Sequence, residues 1–440
     1  FALNITYGAY EPLFSFSALK SYRNNAGGSI DPTTGLPTAS HISTDETYTP
    51  DIKGVLPTGL TYELKGLADR QSGTLLPSAS WVSDATITLS QPLLKNFWID
   101  STRLQIQLNK ATLKESESAL RLQIMTSVTS VKSAYYNLSF ARGNVEANAT
   151  AYKLAQQLVA ENLKRVEVGA LAPLDEKQSE SQAAASLAAM HLAEQQLIVQ
   201  ENTLKNLLTD NYAEWAGVTV LPSEPMVAVP QELNLQESWR RAVAQRPDLV
   251  EARLRIEAQN VTLKFDFNQI FPELDVNGSY GKNANRTFLG DSFDDLIARN
   301  NSSYTYGASV SIPLGGNYAA RNQYKSGKAT LKQLLLQFKQ TEQTIVVAVD
   351  NDVGQLRSAL QQVYATRDAR IYAQEALDAE RKKLENGKST SFIVLQLISN
   401  LTTARVNEVQ ALANYNIAIA QLSLDEGTTL EANNIQLNVK

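Results

Sequence analysis

Cysteine is absent from all 440 residues, so neither a disulfide nor a thiolate metal site is available, and the redox compartment stays open. Histidine occurs twice, at His41 and His191, on separate stretches of chain. No clustered histidines, glycine-rich phosphate loop or nucleophile motif is present, which argues against an enzyme and leaves no cofactor or metal to expect. No run of about 18 apolar residues exists, so no transmembrane helix is expected. Net charge is −5 without a basic cluster, which argues against a nucleic-acid partner. No signal peptide is visible, and the chain starts at Phe1 rather than methionine, as a processed chain would. Hydrophobic residues make up 43 % and charged residues 19 %, enough to bury a sizeable core.

What the chain does contain is one plan stated twice. An alternating stretch, Ala85-Thr-Ile-Thr-Leu-Ser-Gln-Pro92, has its counterpart in Tyr304-Thr-Tyr-Gly-Ala-Ser-Val-Ser-Ile-Pro313. A helical pattern of about 70 residues follows each, roughly 105 Å at 1.5 Å per residue, far longer than a globular core needs. The two patterns end at Gly169 and Gly387, and a returning helix follows each break. Such an internal two-fold repeat fixes the architecture, a strand hairpin joined to a long helical hairpin in each half.

Four segments alternate with period two: Leu3 to Ala9, Ala85 to Leu89, Leu274 to Tyr280 and Tyr304 to Ile312. One face is apolar with tyrosines toward the ends, and the other is small and polar. Lipid on one side and a lumen on the other produce this pattern, as does a soluble antiparallel sheet with one wet face. The long helices favour the first. The joints Pro92 and Pro313 feed strand directly into helix, and no second layer of sequence remains to cover a soluble sheet. Four strands cannot close a barrel, whereas three copies supply about twelve, so a homo-oligomer is expected. A further hairpin-like segment over 52–64, turning at Pro57-Thr58-Gly59, has no counterpart in the second half. It is expected to decorate the extracellular rim, beside the Gly/Pro/Ser/Thr-rich stretch from Asn24 to Thr44.

The helices carry their own arithmetic. Leu331, Leu335, Phe338, Ile345, Val349, Val353, Leu356, Leu360 and Val363 form one apolar seam of coiled-coil type. The step from Ile345 to Leu356 advances eleven residues, which locally unwinds a left-handed supercoil and suits helices packed side by side as a hollow wall. In the first half two returning pieces of about 35 and 38 residues match the outbound helix of about 70. The second half has only the first returning piece, and one further helix of about 40 residues upstream of Phe1 would complete the repeat. The expected organisation is a barrel hairpin with its insertion over 1–95, helical hairpins over 96–209 and 316–424, and an equatorial linker over 210–232. A returning helix over 233–271, a second barrel hairpin over 272–315 and an equatorial tail over 425–440 complete it.

These features, with Leu89-Ser-Gln-Pro-Leu93, Val168-Gly-Ala-Leu-Ala-Pro-Leu-Asp175, Arg246-Pro-Asp-Leu-Val-Glu-Ala-Arg253 and Asn386-Gly-Lys-Ser-Thr-Ser-Phe-Ile-Val-Leu395, resemble the TolC-like outer-membrane efflux protein family over essentially the whole chain. The resemblance implies an α+β membrane protein, a trimeric 12-stranded transmembrane β-barrel continued by a long α-helical coiled-coil tunnel. It implies the bacterial outer membrane as location, with the helices in the periplasm. The partners implied are outer-membrane lipid, a periplasmic adaptor (membrane fusion) protein and an inner-membrane transporter. Val168, Gly169, Ala170 and Leu171, with Asn386, Gly387 and Lys388, would be the tips that meet the adaptor.

The sequence departs from the family at the tunnel entrance. Two acidic residues of the family's archetype match Ile393 and Gln396 here, neither of them acidic. The nearby charges are Asp175, Glu176, Glu385 and Lys388, and closure is expected to rest on Phe392 and Leu395 with hydrogen bonds from Gln396. The function expected is a passive exit duct for small molecules or secreted proteins, whose cargo other components select. The alternative is a structural or adhesive coiled-coil surface protein.

Overall fold

The computed structural model describes residues 2–28, 30, 33, 35–36, 40–74, 76–169, 171–298 and 301–437. Two units divide the chain, Phe1–Glu115 with Arg253–Leu336 and Ser116–Ala252 with Gln337–Lys440.

The first unit opens with helix α1 (Ala2–Tyr7) and a single 3-10 turn (Gly8–Tyr10). Four strands follow, β1 (Leu13–Asn25), β2 (His41–Val55), β3 (Thr61–Gly73) and β4 (Ser80–Pro92). Later in the chain come β5 (Glu273–Arg286) and β6 (Ser302–Ser311). All six pair antiparallel with their sequence neighbours in the order β1-β2-β3-β4-β5-β6, leaving β1 and β6 as the edges. One rung runs Phe14, Ile52, Leu64, Ile87, Tyr280, Tyr304, and the adjacent rung runs Ser15, Asp51, Lys65, Thr86, Gly281, Ser303. Because side chains alternate between faces, the first rung gives the sheet an apolar face and the second a polar one.

Two expectations are corrected here. Leu3, Ile5, Tyr7 and Ala9 lie in α1 and its 3-10 turn, not in a strand. Their short alternation has no partner strand; instead Asn109 holds the helix, its Nδ2 donating to Thr6 Oγ1 at 2.5 Å and to the Ala2 carbonyl at 3.3 Å. The 52–64 hairpin does not decorate a rim: it is the β2–β3 turn, and its strands are interior members of the sheet. The described residues therefore carry six strands where four were expected. β1 escaped the pattern because Lys20 occupies an apolar-phase position, where Glu46 on β2 neutralises it at 2.6 Å. Of the stretch from Asn24 to Thr44, residues 29, 31–32, 34 and 37–39 lie outside the described residues.

The helices are α2 (Ser101–Glu167), α3 (Pro173–Leu208), α4 (Tyr212–Trp215), α5 (Leu235–Gln245), α6 (Pro247–Asn268), α7 (Leu289–Ala298), α8 (Tyr318–Glu385), α9 (Ser391–Asp425) and α10 (Thr429–Ala432). α2 has 67 residues and α8 has 68, several times the usual length. The single helix expected over 233–271 is two, because Arg246 is extended ahead of Pro247, as the residue before a proline prefers. α7, inside the second strand hairpin, was not expected, although Leu289, Phe293, Leu296 and Ile297 recur at helical spacing.

The second unit holds the larger core. Ile345, Val349, Val353, Leu356 and Val363 of α8 pack with Ala411, Tyr415, Ala418 and Leu422 of α9 and with Ala242 and Leu249. The predicted seam is thus buried from Ile345 to Val363 apart from the half-buried Leu360, whereas Leu335, in the first unit, is exposed. Tyr415 is buried because its hydroxyl finds the Val229 carbonyl in the linker at 2.5 Å.

Candidate functional site

The strand–helix joints sit in the first unit. Four residues beyond each proline an asparagine adopts a left-handed backbone, Asn96 (φ 65°) after Pro92 and Asn317 (φ 52°) after Pro313. Asparagine tolerates that conformation better than other residues with a Cβ. Gln269 ties the two joints together, its Nε2 donating to Asn96 Oδ1 at 2.8 Å and its carbonyl accepting from Asn317 Nδ2 at 2.8 Å. Asn268 adds a 2.6 Å bond from the Asn96 N–H to its Oδ1 and a 3.0 Å bond to the Leu94 carbonyl. The prolines were legible in the sequence; the paired asparagines were missed, although their equal spacing from the prolines marks them.

The two helix-turn tips sit in the second unit. Gly169 (φ 74°) and Gly387 (φ 72°) each reverse the chain, and neither would place a Cβ within 4 Å of another atom. Glycine is needed there for its backbone angle, not for room. At the first tip the Gly169 N–H reaches the Val166 carbonyl and the Leu171 N–H the Arg165 carbonyl. At the second, Lys388 N–H bonds the Lys383 carbonyl at 2.8 Å, closing the end of α8. Pro173 starts α3 with Asp175 and Glu176 in its first turn, where the helix dipole favours acids. Val168 is exposed and Leu171 half-buried, Asn386, Gly387 and Lys388 are exposed, and Ala170 lies outside the described residues.

The remaining entrance residues do not form one cluster. Leu395 is buried with Leu158, Leu384, Val394 and Ile398, while Phe392 and Ile393 are exposed. Gln396 donates to Asn400 on its own helix at 3.0 Å. Glu385 lines a cavity of about 150 Å³ with Glu161, Arg165 and Arg381; Asp175 and Glu176 are not among its walls. Just behind the tips lies a buried polar node that sequence reasoning missed. Asn162 of α2 accepts from Ser391 of α9 at 2.8 Å and donates to Ser179 of α3 at 2.6 Å. Ser179 in turn donates to the Asp175 carbonyl at 2.8 Å. The trace of this node in the sequence is Asn162 continuing the apolar positions Ala151, Ala155 and Leu158 at helical spacing.

An ionic cluster lies at the end of α9. Arg246 pairs with Asp248 at 2.9 Å and Asp425 at 2.5 Å, and Arg241 with Glu426 at 3.1 Å. Burial, then the hydrogen bond and charge of Asp425, push Asp352 up to about 7.

A protein-family model described as outer membrane efflux protein matches residues 60–209 and 239–425. The chain belongs to the outer membrane efflux protein family. It is similar to "Outer membrane protein TolC" of Escherichia coli (strain K12), 24 % identical over 338 residues that make up 74 % of this chain and 65 % of that protein. The chain thus spans under two thirds of that relative's length. In fold it is similar to the outer membrane protein VceC of Vibrio cholerae (TM-score 0.67, 16 % identity, covering 97 % of this chain and 89 % of that one). It is also similar to the CmeC outer membrane channel of Campylobacter jejuni (TM-score 0.65, 15 % identity, 97 % and 80 % covered). The family match begins at residue 60, so β1 and β2 precede the matched segments.

Proposed function

We propose that this protein is a passive outer-membrane exit duct, a homotrimer whose sheets close into one barrel and whose helix tips meet a periplasmic adaptor served by an inner-membrane transporter. The observation that carries this reading is the apolar rung from Phe14 to Tyr304 backed by the polar rung from Ser15 to Ser303. Lipid covers such an apolar face, and in lipid an unpaired edge strand must find a partner. An even number of strands leaves β1 and β6 running in opposite directions, so β6 of one copy pairs antiparallel with β1 of the next. Six strands from each of three copies make eighteen, in place of the twelve expected from four. Barrels of about 16–18 strands leave an aqueous channel, as a duct requires.

In this reading residues 168–171 and 386–388 are the docking tips, and Asp175, Glu176, Glu385 and 392–396 surround the entrance. The face assigned to the lumen carries serine, threonine and asparagine together with charges such as Asp51 and Lys65, and in this reading cargo, whether small molecules or secreted protein, is selected by the adaptor and transporter. Membership in an efflux family does not support the adhesive alternative. Light scattering and imaging of the full chain in detergent test the proposal. A trimer with eighteen strands that conducts ions in planar bilayers is expected, and a stable monomer overturns it.

A further inference from the structure

Helix α7 folds back over the apolar face of β4 and β5. Two contacts fix it there: the buried Ser292 hydroxyl donates to Ser83 at 2.9 Å, and Arg286 pairs with Asp295 at 2.5 Å. Between helix and sheet runs an open groove of about 620 Å³, walled by Phe16, Tyr48, Leu64, Ile87, Phe293 and Ile297. That volume lies within the range of ligand sites, about 300–1,000 Å³, and the walls are hydrocarbon and aromatic ring.

Two charged residues border this apolar setting, Asp84 and Lys282; Asp84 alternates onto the opposite, polar face, where its carboxylate accepts from the Thr86 hydroxyl at 2.5 Å. Lys282 lines the groove, and its Nζ reaches only the Ile297 carbonyl, at 3.5 Å; no ion pair to it exists among the described residues. Asp291 and Asp294 of α7 are exposed and line no part of the groove. Two rungs further along, the same face turns polar in the rung Lys20, Glu46, Arg70, Trp81, Arg286. Basic and aromatic side chains beside an apolar band mark the level of lipid headgroups. An unneutralised ammonium just inside that level calls for an anion.

We infer that the groove beneath α7 holds one acyl chain of an anionic lipid whose headgroup meets Lys282. This rests on the proposed reading of the apolar face as lipid-facing. The chain occupies space that α7 keeps open against the sheet, so the lipid is retained in a fixed place where bulk lipid exchanges.

Native mass spectrometry of the purified full-length protein tests this, after delipidation and re-addition of phosphatidylglycerol or phosphatidylcholine. One retained phosphatidylglycerol per chain is expected. Ala85→Phe, which fills the groove floor, should abolish retention. Lys282→Gln should reduce the preference for phosphatidylglycerol about fivefold while leaving the groove open. Retention unchanged in both variants, or no lipid retained by the parent, overturns the inference. Conductance in planar bilayers is recorded on the same samples: a conducting protein that retains no lipid refutes the groove alone, whereas one that never conducts refutes the duct.

Discussion

Ser391, the first residue of α9, donates a 2.8 Å hydrogen bond to Oδ1 of Asn162, a residue of α2 that lies 229 positions earlier in the chain. Both are buried, and the other side of the Asn162 amide is held by Ser179 of α3. Three helices are thereby tied together immediately behind the two tips.

Breaking that tie has a defined signature. Asn162→Ala leaves the buried Ser391 hydroxyl without its acceptor and Ser179 with the Asp175 carbonyl alone, and should cost about 1–3 kcal/mol. Ser391→Ala alone should cost less, and the two changes together should show a coupling of about 0.5–3 kcal/mol. Unfolding of the single and double variants measures it; strict additivity would mean that the two side chains do not act together.

The acidic cluster predicts a pH dependence. Asp352 sits at about 7 when folded, against 3.8 for its ordinary value. The folded chain therefore binds the extra proton between these values, so this contribution is fully present below about pH 4 and is lost as pH rises through 7. Asp352→Asn removes that loss. After allowance for partial exposure, it should stabilise by about 1–2 kcal/mol at pH 8 and by less at pH 5. Melting curves at the two pH values check the sign; an asparagine variant less stable at pH 8 contradicts it.

A lysine scan separates the two faces of the sheet. Lysine at Ile87, Leu89, Val310 or Ile312 should impair assembly by about 2–4 kcal/mol near the membrane midplane, and lysine at Thr88 or Ser309 should be tolerated. Ile52 and Leu64 share a rung with Ile87, so lysine at either should be as damaging as at Ile87. Tolerance at 52 and 64 would return β2 and β3 to the rim. The assay is trimer yield in detergent extracts.

At the entrance, Gln396→Asp would place exposed carboxylates where the parent has an amide bonded to Asn400. Cation selectivity should rise and divalent ions should begin to block, both weakening with added salt. Single-channel recordings decide this. Strong divalent block in the parent would point to acids elsewhere, with Glu385 the first candidate.

The sequence by itself determined the elements whose signal is local and long. Two helices of nearly 70 residues, the glycines at 169 and 387, the prolines at 92 and 313 and the clean alternation of β4, β5 and β6 all follow from periodicity and backbone preference, properties of neighbouring residues. Tertiary structure alone decided what depends on partners distant in the chain. Lys20 is admissible in an apolar phase because Glu46 stands beside it, so β1 was hidden until β2 was in place. The alternation of 52–64 was visible, but only the register from Ile52 through Leu64 to Ile87 makes the hairpin part of the wall. Asn162, Ser179 and Ser391 are ordinary polar residues in sequence and become one node only when three helices bury them together. A hydrogen bond between remote side chains leaves no period for a sequence to reveal, because its energy depends on burial and geometry that the fold supplies.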